Sequence, residues 1–448
     1  MIPTLAELRA ALDEGRATSL KLTDAALAHI ADPDGEGVRV FTKVYSGQAR
    51  AAAQASDLLR SAGLARSAID GLPISIKDLF DVAGDTTMAG SVVLADAPPA
   101  TETAVIVRRL LAAGAIIVGR TNMTEFAYSG IGMNPHYGTP RNPWGRETGR
   151  IPGGSSSGAA VSVSDNMAVA AIGTDTGGSV RIPAALCGLT GFKPTARRVP
   201  LKGALPLATR LDSIGPIAAS VRCCAQLDAI LAGDDAPLPA PARLRGIRLA
   251  LPTTIVRDDM DSQVARSFEA ALSRLSAAGA LIEEIVVPEF AELAAINATG
   301  GLSGAEAWTW HRALIERAGD AYDPRVISRI RRGQAMSAAD LLELLQARVR
   351  WVGSVEQRIA GHDAMIMPTV PIVAPTLAEL ADDDAYYRNN ALILRNPTFI
   401  NFLDGCALSL PCHAPGTAPV GLMLAGAGGH DRDLLALGMA VEACLRQA

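Results

Sequence analysis

Aromatic residues are scarce: Phe, Trp and Tyr make up 4% of the 448 residues, although 49% of the chain is apolar. Much of the apolar content is alanine, which suits closely packed helices. A large excess of charge of one sign is missing as well. Forty-six acidic against 41 basic residues leave a net charge of −5, which gives no electrostatic footprint for nucleic acid or an anionic membrane. No apolar run reaches the ~18 residues that a membrane span needs. The six cysteines, Cys187, Cys223, Cys224, Cys406, Cys412 and Cys444, form no C-x-x-C pair and no zinc-ligand spacing. They read as free, mostly buried thiols of a cytosolic protein. The N-terminal "MIPTLAELRAALDEGRATSLKL" is amphipathic and mixed in charge, without the basic-then-apolar layout of a signal peptide. The expected location is the cytoplasm.

Helical and strand-like segments alternate through the chain. "SGQARAAAQASDLLRSAG" reads as a helix with a glycine stop, and "LPISIKDLF" as a short strand running into a loop. "AVIVRRLLAAGAIIVGRTN" gives a helix, a turn and a strand at 115–118, and "SSSGAAVSVSDNMAVAAIGTD" repeats that order. A Pro/Ala/Asp-rich connector at 231–246 is the clearest break in composition. Beyond it, "GIRLALP" and "LIEEIVVP" read as strands flanking the helix "SQVARSFEAALSRLSAAGA". A helical stretch at about 305–360 precedes the strands "DAMIMPTVP", "CALSLP" and "APVGLMLAG", and a helix closes the chain. The pattern predicts an α/β protein with a central mixed sheet covered by helices on both faces, a single domain over 1–448 with its core at about 65–230.

Chemistry concentrates in "RIPGGSSSGAAVSVSDNMAVAAIGTDTGGSVRIP", which carries two Gly-Gly-Ser clusters. A flexible linker would be polar, whereas "NMAVAAIG" inside the stretch is a buried-strand pattern. A phosphate loop needs G-x-x-x-x-G-K-[ST], and no lysine lies between Lys77 and Lys193. Gly154-Ser155-Ser156-Ser157-Gly158 formally fits the nucleophile elbow G-x-S-x-G, but the preceding "NPWGRETGRIP" is no core strand. His413 and His430 follow in triad order without a marked context.

In "GTDTGGSVRIP", Gly177 and Gly178 directly precede Ser179. Glycines there let the backbone turn sharply and converge N–H groups beside the hydroxyl, as a tetrahedral oxyanion requires. An ordinary glycine-rich strand-to-loop turn is the competing assignment. A serine hydroxyl also needs a base. The residue available is Lys77, in the apolar "LPISIKDLF", where desolvation favours the neutral amine. An ion pair with Asp78 is the alternative role.

These residues resemble the amidase signature family. The likeness is carried by "GLPISIKDLFDVAG", "GAIIVGRTNMTEFAYSGIGMNPHYGTPRNPW", "IPGGSSSGAAVSV…GTDTGGSVRIPAALCGLTGFKPT" and "LDSIGPIAASV", with weaker echoes in "DAMIMPTVP" and "APVGLMLAG". It covers nearly the whole chain. The resemblance implies Ser179 as nucleophile, Lys77 as base and Ser155 as the bridging serine, with a cis peptide at Gly154–Ser155. It implies an oxyanion hole from the backbone N–H groups of Thr176, Gly177, Gly178 and Ser179, and an acyl pocket lined by Ala127 and Tyr128. Asp175 and Arg181 flank the nucleophile loop as a supporting pair. Ser156 and Ser157 are expected to cap the following helix, Asp212 and Ser213 to fix loop geometry, and Cys187 to be structural. Where many members read "GGSSGGS", this chain has "GGSSSGA", a departure outside the triad.

The activity so implied is hydrolysis of a small carboxylic amide through an acyl-enzyme, with no metal or organic cofactor. The alternatives are a glutamine amidotransferase A-type subunit, an allophanate or urea-type amidohydrolase, and a non-enzymatic binding protein on the same scaffold. The expected partner is a small-molecule amide, with no nucleic acid and no membrane. Apolar N-terminal helices are compatible with a homodimer, and a small protein subunit stays open. Arg395 in "ILRNPT" is a candidate for a substrate carboxylate, with a purely structural arginine as its rival.

Overall fold

Eleven short strands carry the apolar runs of the chain and join into one sheet in the computed structural model, which describes residues 2–446. They are β1 (Phe41–Val44), β2 (Pro73–Lys77), β3 (Ile116–Thr121), β4 (Ala170–Asp175), β5 (Thr190–Lys193) and β6 (Ser213–Ala218) in the first half. The second half adds β7 (Arg248–Pro252), β8 (Leu281–Ile285), β9 (Ala364–Pro368), β10 (Cys406–Pro411) and β11 (Gly421–Gly426). The order across the sheet is β1-β3-β2-β4-β6-β5-β10-β11-β9-β7-β8. β3, β2 and β4 run parallel, as do β8, β7 and β9; the strands between them pair antiparallel.

Strands covered on both faces read as near-continuous apolar segments, because neither face may be polar. β11 illustrates this. Leu422 and Leu424 pack into the large core on one face, while Met423 and Ala425 pack into a second core on the other. In β4, Ala170 and Ile172 face the first core and Ala171 faces a third cluster. The helices Val221–Ala232 and Asp431–Arg446 lie on the first face, the helix Ser157–Ser164 on the opposite one. The result is a single-domain α/β architecture with a mixed sheet flanked by helices, as the alternation of segments predicts.

Some boundaries differ from those predicted. The strand expected at 115–118 is β3 and extends to Thr121, because the polar Arg120 is buried there against Asp78 at 3.0 Å. The helical stretch begins at Gly301 and divides into Gly301–Ala318, Pro324–Arg331 and Ala338–Ile359. β5, with four residues, is too short to read as a strand, and β6 is interrupted by Gly215 and Pro216. The helix Asp383–Phe402 escaped prediction because Pro397 lies within it. Among the described residues no helix is long and apolar enough to cross a membrane.

Candidate active site

The parallel strands β2 and β4 are neighbours in register, with Ile76 opposite Ile172. Lys77, the last residue of β2, therefore lies beside the end of β4, at the carboxyl edge where parallel sheets open crevices. Its Nζ donates to Ser155 Oγ at 2.7 Å and to Thr174 Oγ1 at 2.8 Å. All three side chains are buried. Burial pushes the Lys77 pKa from 10.5 down to about 7, against the opposing fields of Asp175 and Asp212. Asp78, the partner that a mundane role would supply, pairs with Arg120 instead.

Ser155 is delivered by a turn before the helix Ser157–Ser164, and the Gly154–Ser155 peptide is cis. The turn is fixed by its neighbours: Gly154 N donates to Gly130 O at 2.8 Å, and Thr124 N to Ser155 O at 3.1 Å. Glycine is required at 154, since a Cβ there would lie 2.6 Å from the backbone nitrogen of Gly132. Ser156 N donates to Ser179 O at 3.3 Å, which joins this turn to the second serine.

Ser156 and Ser157 do not cap the helix as expected. Ser156 occupies the N-cap position, but its hydroxyl donates to Thr174 O at 3.4 Å rather than accepting from the first helical turn. The buried Ser157 hydroxyl finds no partner among the described residues. No strand precedes this turn, so the nucleophile-elbow assignment fails on structure as well. His413 and His430 do not line the cavity described below.

Ser179 lies in the loop between β4 and the helix Arg181–Leu186. The loop is wrapped around the Asp175 carboxylate, which accepts from Gly178 N at 2.8 Å and Val180 N at 3.1 Å. Arg181 closes on the same carboxylate through Nε at 3.0 Å and Nη2 at 2.9 Å. Asn401 bridges both, donating to Asp175 Oδ1 at 2.9 Å and accepting from Arg181 Nη2 at 2.6 Å. Burial raises the Asp175 pKa, but the Arg181 guanidinium overcomes that and holds the carboxyl well below its ordinary range. Ser213 Oγ donates to Asp175 O at 2.9 Å, and Asp212 accepts from Thr176 Oγ1 at 2.5 Å and from the backbone of Leu207 at 3.1 Å.

Of the four N–H groups expected to form an oxyanion hole, that of Gly178 is already engaged with Asp175. Those of Thr176, Gly177 and Ser179 have no intramolecular acceptor among the described residues. The Ser179 hydroxyl likewise makes no hydrogen bond among them, so Lys77–Ser155 is the linked pair and Ser179 is joined to it through its backbone. Ser179 opens onto a cavity of about 600 Å3, whose wall includes Thr176, Gly177, Ala127 and Tyr128. Ala127 and the preceding Phe126 both take left-handed backbone angles, φ 60° and 50°, a conformation costing roughly 1–2 kcal/mol each in non-glycine residues. Such distortions collect at functional sites.

Two contributors escaped the sequence reading. Thr174 is signalled only by being the last residue but one of β4. Asn401 carries no signal, since its helix was not predicted. Cys187 is buried, donates to Pro152 O at 3.4 Å, and is pushed upward in pKa by burial, as a structural thiol would be. No group of three or more His, Cys, Asp or Glu among the described residues is arranged to hold a metal ion.

Comparison with known proteins places this fold and crevice among hydrolases acting on carbon–nitrogen bonds. The family model "Amidase" matches residues 22–435, and the chain belongs to that family, the amidase signature hydrolases. It is 35% identical to a 2-amino-5-chloromuconic acid deaminase of Comamonas testosteroni, over 99% of this chain and 96% of that protein. It is 33% identical to the A subunit of the glutamyl-tRNA(Gln) amidotransferase of Chloroflexus aggregans, over 98% of this chain and 96% of that protein. A crystal structure of an amidase superposes with a TM-score of 0.88 at 33% identity, covering 98% of this chain and 99% of the other.

Proposed function

We propose that the protein hydrolyses a small carboxylic amide to its acid and ammonia or an amine, through an acyl-enzyme on Ser179. The observation that carries this is a buried lysine, its pKa lowered by burial to about 7, hydrogen-bonded to Ser155 and one backbone contact away from a serine that faces a cavity. A neutral amine accepts a proton, and an intervening hydroxyl can pass one on. Lys77 draws the Ser155 proton as Ser155 takes that of Ser179, and Ser179 Oγ attacks the amide carbon. The carbonyl electron pair moves onto oxygen, facing the unengaged N–H groups of Thr176, Gly177 and Ser179. Collapse breaks the C–N bond, and the proton returns through Ser155 to the leaving nitrogen. A water molecule deprotonated along the same path then cleaves the ester.

Release of ammonia from a panel of aliphatic, aryl, carboxylated and urea-type amides, with glutamine included, tests the reading. Hydrolysis that disappears in Ser179→Ala and nearly so in Lys77→Ala is expected; activity retained in either variant refutes the relay.

A second reading is favoured by the amidotransferase relatives: the same chemistry serving as a glutamine-dependent ammonia source within a complex. Co-purification of a stoichiometric second protein, with glutamine as the preferred substrate, would select it.

A further inference from the structure

The cavity in front of Ser179 is lined by three guanidinium groups, those of Arg329, Arg332 and Arg395, and by one carboxylate among the described residues, the exposed Asp259. None of the three arginines forms an ion pair among the described residues. Three other arginines of the same part of the chain are paired, Arg325 with Asp383 at 2.8 Å, Arg348 with Asp404 at 2.8 Å and Arg358 with Glu289 at 2.7 Å, so what distinguishes Arg329, Arg332 and Arg395 is that they lie unpaired on the cavity wall.

Arg329 has a visible task. It donates through Nη1 to Tyr128 O at 2.7 Å and lies over the Tyr128 ring at 4.9 Å, holding that cavity wall. The other two are held by neutral groups alone. Arg395 is half-buried, yet it meets only neutral acceptors: Asn396 Oδ1 at 3.1 Å, Val256 O at 3.2 Å and Asp258 O at 2.8 Å. Its Nη1 makes no hydrogen bond among the described residues. Arg332, which is exposed, makes one, to Ala298 O at 3.2 Å.

Leu207, Leu211, Phe290 and Phe399 give the same space an apolar portion of wall, beside the polar Ser129, Asn297, Ser303 and Thr398. Low-dielectric walls concentrate the field of a charge into the cavity. Asp258 and Asp259 favour the charge of the half-buried Arg395 without forming an ion pair with it, and the planar fork of a guanidinium matches a carboxylate through two parallel hydrogen bonds.

We propose, on the basis of the amide-hydrolase reading, that the substrate carries a carboxylate besides its amide, and that Arg332 and Arg395 bind this group in the cavity onto which Ser179 opens. The substrate class is then the half-amides of dicarboxylic acids and their relatives, and Arg332 and Arg395 determine specificity without touching the reacting atoms.

Matched pairs of substrates test this directly. Succinamate and butyramide, and glutaramate and valeramide, have the same length and differ in a terminal carboxylate against a methyl group. The expected kcat/KM is at least about 10-fold higher for the carboxylated member of each pair, the worth of one partly buried charge pair. That ratio should fall toward one in Arg332→Gln/Arg395→Gln and persist in Arg331→Gln, an exposed neighbour outside the cavity wall. Equal rates within each pair, or a ratio that survives the double substitution, overturns the proposal while leaving amide hydrolysis standing.

Ammonia release from none of the four would refute hydrolysis of this substrate class, and a binding readout then decides separately. Glutaramate should raise the melting temperature of Ser179→Ala more than valeramide does, and lose that advantage when Arg332 and Arg395 are also replaced. Equal shifts from the two ligands overturn the anion site.

Discussion

Lys77 Nζ lies 2.7 Å from Ser155 Oγ with both groups buried, so the amine sits in hydrogen-bonding contact with a hydroxyl and out of contact with water. Burial lowers its pKa to about 7 from an ordinary 10.5. A base must be neutral to act, so kcat/KM should rise tenfold per pH unit below about 7 and level off above it. Replacement by Arg, which stays protonated, should abolish the plateau. Stability carries the same signature. Between pH 7 and 10.5 the unfolded chain binds more protons at this position than the folded one, so wild-type stability rises with pH across that window. The difference between Lys77→Met and wild type should therefore shift in the variant's favour as pH falls from 10.5 to about 7, and stay level below. Denaturant titrations across that range check it.

If Ser179 is the nucleophile, a fluorophosphonate should form one covalent adduct, located at Ser179 by peptide mass spectrometry. Labelling should vanish in Ser179→Ala, along with about 10^4-fold or more of kcat. Ser155→Ala keeps the attacking oxygen but breaks the route for its proton. It should label slowly and lose about 10^2- to 10^4-fold in kcat. An adduct on Cys187 or on Ser155 would contradict the assignment.

The contrast between Lys77 and Asn401 explains what was legible in the chain. Lys77 is a charge set in an apolar strand with its chemical partners in Gly-Ser turns, and each of those features is local in sequence. The strands around it were readable for the same reason, because burial on both faces makes their apolar runs continuous. Asn401 acts across more than two hundred residues of sequence, from a helix whose interior Pro397 hid it. The engagement of Gly178 N with Asp175 was equally hidden, since which amides of a loop remain free depends on where a buried carboxylate points. The arginines facing the cavity sit among many others, and only the folded chain separates the paired from the unpaired.

Arg181 and Asp175 form a buried pair that shapes the nucleophile loop, so removing one partner strands the other. Arg181→Leu should cost about 3–5 kcal/mol, because an unpaired carboxylate remains out of water. The Asp175 carboxyl, held below its ordinary 3.8, contributes stability that is present above that value and lost as pH falls through its folded one. The gap between wild type and Arg181→Leu should therefore narrow as the solution is taken below about pH 4, which urea unfolding at several pH values measures. A gap independent of pH would mean that the pair is not the source of the loss.

The two glycines before Ser179 should respond differently to the same substitution. Gly178 has φ 124°, outside the range of an alanine, and a Cβ there would lie 2.6 Å from both Ile182 Cδ1 and Pro397 Cβ. Backbone strain and overpacking each cost about 1–3 kcal/mol, and the packed neighbours cannot retreat without moving the loop. Gly177 lacks the positive φ, and the nearest atom to its added Cβ would be Thr398 Oγ1 at 3.4 Å, an ordinary contact. Thermal unfolding should therefore show Gly178→Ala several degrees below wild type and Gly177→Ala close to it. Equal losses at the two positions would mean that the tight turn is not fixed by the geometry at 178. Because the Gly178 amide is anchored to Asp175, its displacement should also reach Val180 and Arg181, which share that carboxylate, and lower kcat even where the variant stays folded.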